Sequence, residues 1–223
     1  MFSKVLTSAL IAGFGAGLIA ATLQLAFLQP ILLFAELYEA GVLQHFATTP
    51  AAVVPPGYVF DLYRDVLTVV FTALIYVGYA LVLLPAMAFA QSRGAAITPR
   101  TGLIWGIGGF AAVQLAPAFG LPPELPGIAG ADVDLRQIWW GATVIATAMG
   151  LWLIAFGQNW ALWGTAIILI AAPQIIGAPQ PDAFTGPAPP ELGAEFASRA
   201  LGVGFAAWAS LGLFTATIWG ADD

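Results

Sequence analysis

The chain has 223 residues, 60% hydrophobic and 8% charged, with a net charge of −6 and no cysteine. An ordinary soluble domain carries about 25% charged residues, so the composition points to a membrane protein in contact with a lipid bilayer. The acidic balance argues against a nucleic-acid partner, whose phosphates need basic groups. The missing cysteines exclude disulfides, thiolate metal sites and thiol catalysis.

The first charge-free window runs from Val5 to Ala35, 31 residues. Lys4 before an apolar run looks like a signal peptide, but a signal's apolar region ends after about 7–15 residues. A retained first helix is therefore expected. Gly13-x-x-x-Gly17 offers a small-residue face for close helix approach, and Gln24 lies at membrane depth. Pro30 is expected to kink or break the outer end. Glu36, Tyr38 and Glu39 then mark emergence into water. From Gly41 to Tyr58 the chain carries His45, Pro50, Pro55, Pro56 and Gly57 and reads as an external loop.

Asp61, Arg64 and Asp65 stand at the entry to a second helix, whose charge-free window from Val66 to Ser92 holds 27 residues. A third helix is expected after Thr98-Pro99-Arg100, with Thr98 as N-cap and Pro99 at the first helical position. Its 23-residue window extends from Thr101 to Pro123. The helix itself is expected to end near Ala116-Pro117, before a proline-rich loop from Gly120 to Gly130. Between Arg136 and Asp182, 45 residues pass without a charge. As one helix at about 1.5 Å per residue they would reach roughly 68 Å, against a hydrocarbon core about 30 Å thick. The stretch must cross twice, turning at its most polar point, Gly157-Gln158-Asn159. A second proline-rich loop, Gly177 to Pro190, leads to a last helix starting near Glu191. That helix holds a 22-residue window from Ala200 to Ala221 and carries Glu195 and Arg199 one turn apart.

The expected fold is an all-α polytopic membrane bundle of about six transmembrane helices, a single integral membrane domain over residues 1–223. The spans fall at approximately 5–35, 66–91, 101–118, 138–156, 160–177 and 197–219. Six spans place both termini on one side, and basic residues tie at three per side: Lys4, Arg93 and Arg100 against Arg64, Arg136 and Arg199. Arg93 and Arg100 share a short loop without acids, whereas each opposing arginine has a carboxylate within four residues. Positive charge in short loops sets topology, so both termini are expected in the cytoplasm, with ten carboxylates facing outward.

Nucleotide loops, hydrolase elbows and His-x-x-x-His metal helices are missing, and one histidine without cysteine disfavours an enzyme. The glycines of Trp105-Gly106-Ile107-Gly108-Gly109-Phe110 read as helix packing, because a phosphate loop needs a strand before it and water around it. Glu36 and Glu39 share a helical face with His45 shortly beyond, and Asp61 and Asp65 share another at the next helix entry. Together they could bind a divalent cation such as Co²⁺, Ni²⁺ or Zn²⁺. Alternatively they are solvated interfacial charges, with Arg64 paired to an aspartate. Gln24, Gln114 and Gln174 either line a path or join helices by hydrogen bonds. Glu124, restrained by Pro122, Pro123 and Pro126, either gates a cation path with Gln114 or pins its loop by pairing with Arg136. Trp139, Trp140, Trp160 and Trp163 read as interfacial belt residues.

One stretch is distinctive for so hydrophobic a protein, Gln114-Leu115-Ala116-Pro117-Ala118-Phe119-Gly120-Leu121-Pro122-Pro123-Glu124-Leu125-Pro126-Gly127. With it stand Trp105-Gly106-x-x-Gly109-Phe110, Arg136-Gln137-x-Trp139-Trp140 and Pro173-x-x-x-Gly177-Ala178-Pro179. In this order, across nearly the whole chain, they resemble the CbtA family of cobalt transporter subunits of bacterial inner membranes. The resemblance implies cobalt uptake for cobalamin synthesis and a small single-span partner, CbtB, that carries histidines. It also implies a histidine-rich segment after the first helix, where this chain offers only His45, and histidine in relatives at positions such as Gln174 and Gln180. Imidazole is the natural ligand for late first-row metals. The alternative function is therefore a non-transporting accessory subunit packed against a larger membrane complex.

Overall fold

Each charge-free window houses a helix in the computed structural model, which describes residues 2–45 and 58–220. The loop reading of Pro50, Pro55, Pro56 and Gly57 lies outside the described residues. In chain order the helices are α1 (Phe2–Phe27), α2 (Gln29–Glu39), α3 (Leu62–Ser92) and α4 (Pro99–Phe110). A π-turn (Ala111–Leu115) then precedes α5 (Ala116–Ala118), α6 (Val133–Phe156), α7 (Trp160–Ile176) and α8 (Pro190–Gly220). The described residues contain no strand.

Five stretches are long and apolar enough to cross a bilayer: Ser3–Phe27, Leu62–Ser92, Pro99–Ala118, Val133–Phe156 and Pro190–Gly220. The 17 residues of α7 are apolar but shorter, reaching about 26 Å against a hydrocarbon core of about 30 Å. The fold is all-helical with roughly six spans.

Helix starts follow local chemistry. The side chain of Thr98 accepts from Thr101 N at 3.2 Å, Asp61 from Arg64 N at 2.8 Å, and Asn159 from Leu162 N at 3.0 Å. Asp132 accepts from both Asp134 N and Leu135 N. Each oxygen satisfies an amide that the first helical turn leaves without a partner. The hairpin turn falls at Gly157–Asn159 as expected, between Phe156 and Trp160. At the far end of α7, Gly177 has φ +85°, a left-handed conformation suited to glycine, and its N–H closes the helix onto Pro173 O.

Proline shapes two of these helices. The first window is divided at Leu28, and Pro30 sits in the first turn of α2, where its missing N–H costs nothing. The third helix ends at Ala118, at the expected boundary, but it widens into the π-turn before Pro117. A proline ring clashes with the carbonyl four residues earlier, here that of Val113, and a wider turn relieves the clash.

Two compact units organise the chain. The first contains residues 1–27, 58–110 and 202–223, and the second residues 28–57 and 111–201. In the first unit, α1 packs on α3 through a face of small residues: Ser8, Ala9, Ala12, Gly13, Ala16, Gly17, Ala20 and Ala21. A Cβ at Gly13 would lie 2.5 Å from Val77 Cα, and one at Gly17 2.5 Å from Ala73 Cα. The two backbones therefore touch where the small-residue face predicted. Gly102, Gly106 and Gly109 of α4 seat α8 in the same way, against Gly212, Trp208 and Ala216. These glycines pack helices and leave no room for a phosphate.

In the second unit, α6 and α7 form the hairpin, with Gly150 against Ala166 and Ile170. Ile31 and Ala35 of α2 bury against Leu125 and Leu192, with Phe34, Ile128 and Phe196 around them. The two proline-rich loops are joined by a backbone bond from Ala129 N to Thr185 O, 2.8 Å. A helix on the carboxyl-terminal side of one loop thus shares a core with the tip of the other.

Candidate cation path and polar anchors

The carboxylates proposed as metal ligands divide between the two units. Glu36 and Glu39, on α2, are exposed in the second unit with His45 just beyond the helix. Asp61 and Asp65 belong to the first unit. Asp61 is exposed and caps α3. Asp65 is 4% exposed and accepts from Tyr58 Oη, Asp61 N and Arg64 Nε. That carboxylate therefore holds the entry of α3 together. Donating to it, with burial and its negative charge adding, pushes the Tyr58 phenol above its ordinary pKa. The Arg64–Asp65 pair at 3.0 Å is the pairing that the interfacial alternative named, but Asp65 is buried rather than solvated. Among the described residues no three His, Asp or Glu side chains come together in a way that could hold a metal ion.

The intramembrane amides take specific partners. Gln24 Oε1 accepts from Thr72 Oγ1 at 3.3 Å, joining α1 to α3. Gln174 Nε2 donates to the carbonyl of Ala116 at 2.9 Å, joining α7 to α5. Both contacts are the helix-joining arrangement. Gln114 lies in the π-turn, and its Oε1 is buried without a hydrogen-bond partner. Gln180 Nε2 approaches Gly120 O and Ala178 O only at 3.4 and 3.3 Å. Glu124 Oε2 accepts from Arg136 at 2.7 Å, with both side chains about a third exposed (30% and 31%). This is the contact that the loop-pinning alternative requires. Glu195 and Arg199 pair one turn apart on α8, as their spacing indicates.

Trp139 departs from the belt reading. It is 8% exposed, and its indole N–H donates to Pro173 O at 3.2 Å. Trp140, Trp160 and Trp163 are exposed, as belt residues should be. Trp139 shares a face with Thr143, Thr147 and Gly150, all buried on α6. The spacing of four, four and three residues is a helical stripe, and it was the available sequence signal. Tryptophans bunched near a hairpin end masked it.

The arrangement defines a polytopic helical membrane protein in which several polar side chains join helices and restrain loops. A family model described as "Probable cobalt transporter subunit (CbtA)" matches residues 2–220. The chain belongs to the CbtA family. No curated protein and no solved structure matches it.

Proposed function

We propose that this chain is the multi-pass subunit of an inner-membrane transporter for Co²⁺ or a related divalent cation such as Ni²⁺. The whole chain works as one membrane domain with both termini in the cytoplasm, and no catalytic step is assigned to it. The single observation that carries this reading is the family match across residues 2–220 of a chain with roughly six apolar helices. The subunit acts beside other transmembrane subunits. It has one histidine and no cysteine, while late first-row metals favour imidazole and thiolate ligands. A small single-span, histidine-bearing CbtB-like partner would supply what this chain lacks. On this chain, His45, Glu36 and Glu39 offer a first contact for the cation, and Asp61 adds exposed negative charge that attracts it. Asp65 would join them only by giving up its pairing with Arg64. Gln24, Gln114, Gln174 and Glu124 are the candidate path and gate.

A second reading, a non-transporting accessory subunit in a larger complex, is favoured by one observation. Asp65, Gln24, Gln174 and Glu124 are already engaged in protein contacts. Native purification in mild detergent, with metal analysis of the eluate and cobalt uptake by cells with and without the chain, separates the two. Co²⁺ uptake that depends on the chain, with loss on changing His45 and Glu39, supports transport. A stoichiometric metal-free complex and unchanged uptake would establish the accessory role.

A further inference from the structure

Threonines in these helices have a habitual partner. Thr22, Thr68, Thr143, Thr165 and Thr217 each donate to the carbonyl four residues earlier, at 2.7–2.9 Å. Thr147 is 3% exposed and does not: its Oγ1 is buried without a hydrogen-bond partner. Gln114 Oε1 is buried without one as well. Burying such atoms unpaired is costly, and both belong to the second unit, where α6 packs against the π-turn.

Their levels along the helices agree. Trp139 of α6 lies against Gly120, just beyond α5. Gln114 is six residues before Gly120, about 9 Å along a helix, and Thr147 is eight after Trp139, about 12 Å. With α6 packed against the π-turn and counted antiparallel from the loop after Gly120, Gln114 comes to roughly the level of Thr143 and Thr147. Pro117 adds to the same place. It has no N–H to give to Ala112 or Val113, so a carbonyl of the π-turn loses its usual donor. π-turns occur often at functional sites. Two further orphans, Trp208 Nε1 and Thr215 Oγ1, lie in the first unit, and an indole N–H cannot ligate a cation.

We propose that Gln114 Oε1, Thr147 Oγ1 and the π-turn carbonyls form an all-oxygen site in which a divalent cation rests during its passage. This rests on the transport reading above. Neutral oxygens are poor ligands for late first-row metals compared with imidazole. Weak binding suits transit, because conduction needs sites the ion can leave.

The test is radioactive cobalt uptake by cells carrying the complete transporter, with membrane abundance and melting temperature of the chain measured in parallel. Thr147→Val keeps the shape and removes the hydroxyl, Thr147→Ser keeps the hydroxyl, and Thr143→Val removes a hydroxyl already bonded to Trp139 O. The expected result is an uptake loss of about tenfold for Thr147→Val and Gln114→Leu, with abundance unchanged, and near-normal uptake for Thr147→Ser and Thr143→Val. Normal uptake with Thr147→Val, with or without a rise in melting temperature, overturns the site while leaving the transport reading in place. No uptake by the wild-type chain overturns both.

Discussion

The two units weight the same two packing solutions differently. In the first, helices meet backbone to backbone: α1 on α3 at Gly13 and Gly17, α4 on α8 at Gly102 and Gly106. In the second, side chains reach across to carbonyls near proline: Trp139 to Pro173 O and Gln174 to Ala116 O. Lipid tails are as apolar as leucine, so burying apolar surface does not by itself drive helices together in a bilayer. Van der Waals contact and polar bonds remain. The first serves α1 and α3, although α3 contains Pro85. In the second unit the carbonyls of Ala116 and Pro173, beside or on a proline, each accept a side-chain N–H from another helix.

The largest expected effect is in the first unit. Gly17→Leu would drive a side chain into the Ala73 backbone, and Gly106→Leu into the Trp208 carbonyl, 2.2 Å from the added Cβ. Both should abolish recovery of folded protein in detergent, read by fluorescence size-exclusion. Gly108→Leu, two residues from Gly106 but with nothing within 4 Å, should be recovered normally. Equal behaviour of Gly106→Leu and Gly108→Leu would break the distinction between the units.

A smaller loss is expected in the second unit. Trp139→Phe keeps most of the ring and removes one bond to Pro173 O, for a cost of about 0.5–1.5 kcal/mol. A lowered melting temperature with normal recovery is the expected outcome. Trp160→Phe, at a position 83% exposed, should melt as wild type does. Glu124→Gln should cost less than about 1 kcal/mol, and high salt should narrow the difference from wild type. Unchanged cobalt uptake in that variant would favour loop pinning over a gate. The smallest effect belongs to Thr72→Val, which breaks a 3.3 Å bond in a region already held by backbone contact. A shift in melting temperature larger than that of Trp139→Phe would show that polar bonds matter as much in the first unit as in the second.

Much of the fold was legible in residue order. The hairpin turn at Gly157–Asn159, the Thr98 cap and the Gly13–Gly17 contact all depend on a few neighbouring residues. The candidate site was harder to read. Asp61 and Asp65 share a helix face, but Asp65 is buried under Tyr58 and Arg64, and side-chain spacing does not report who else arrives. Trp139 and Trp140 are neighbours with opposite fates, because a helix turns about 100° per residue and only packing decides which face is inward.

By itself the sequence determined that this is a membrane protein, roughly how often it crosses, and where the helix after Thr98 starts. Charge-free length is measured against a fixed bilayer thickness, and caps act over three or four residues. The tertiary structure alone decided that the break before Pro30 falls at Leu28, that a π-turn forms ahead of Pro117, and that the oxygens of Gln114 and Thr147 are buried without partners. A proline's cost can be met by a break, a wider turn or a neighbour's side chain, and the choice depends on what the rest of the chain packs against it.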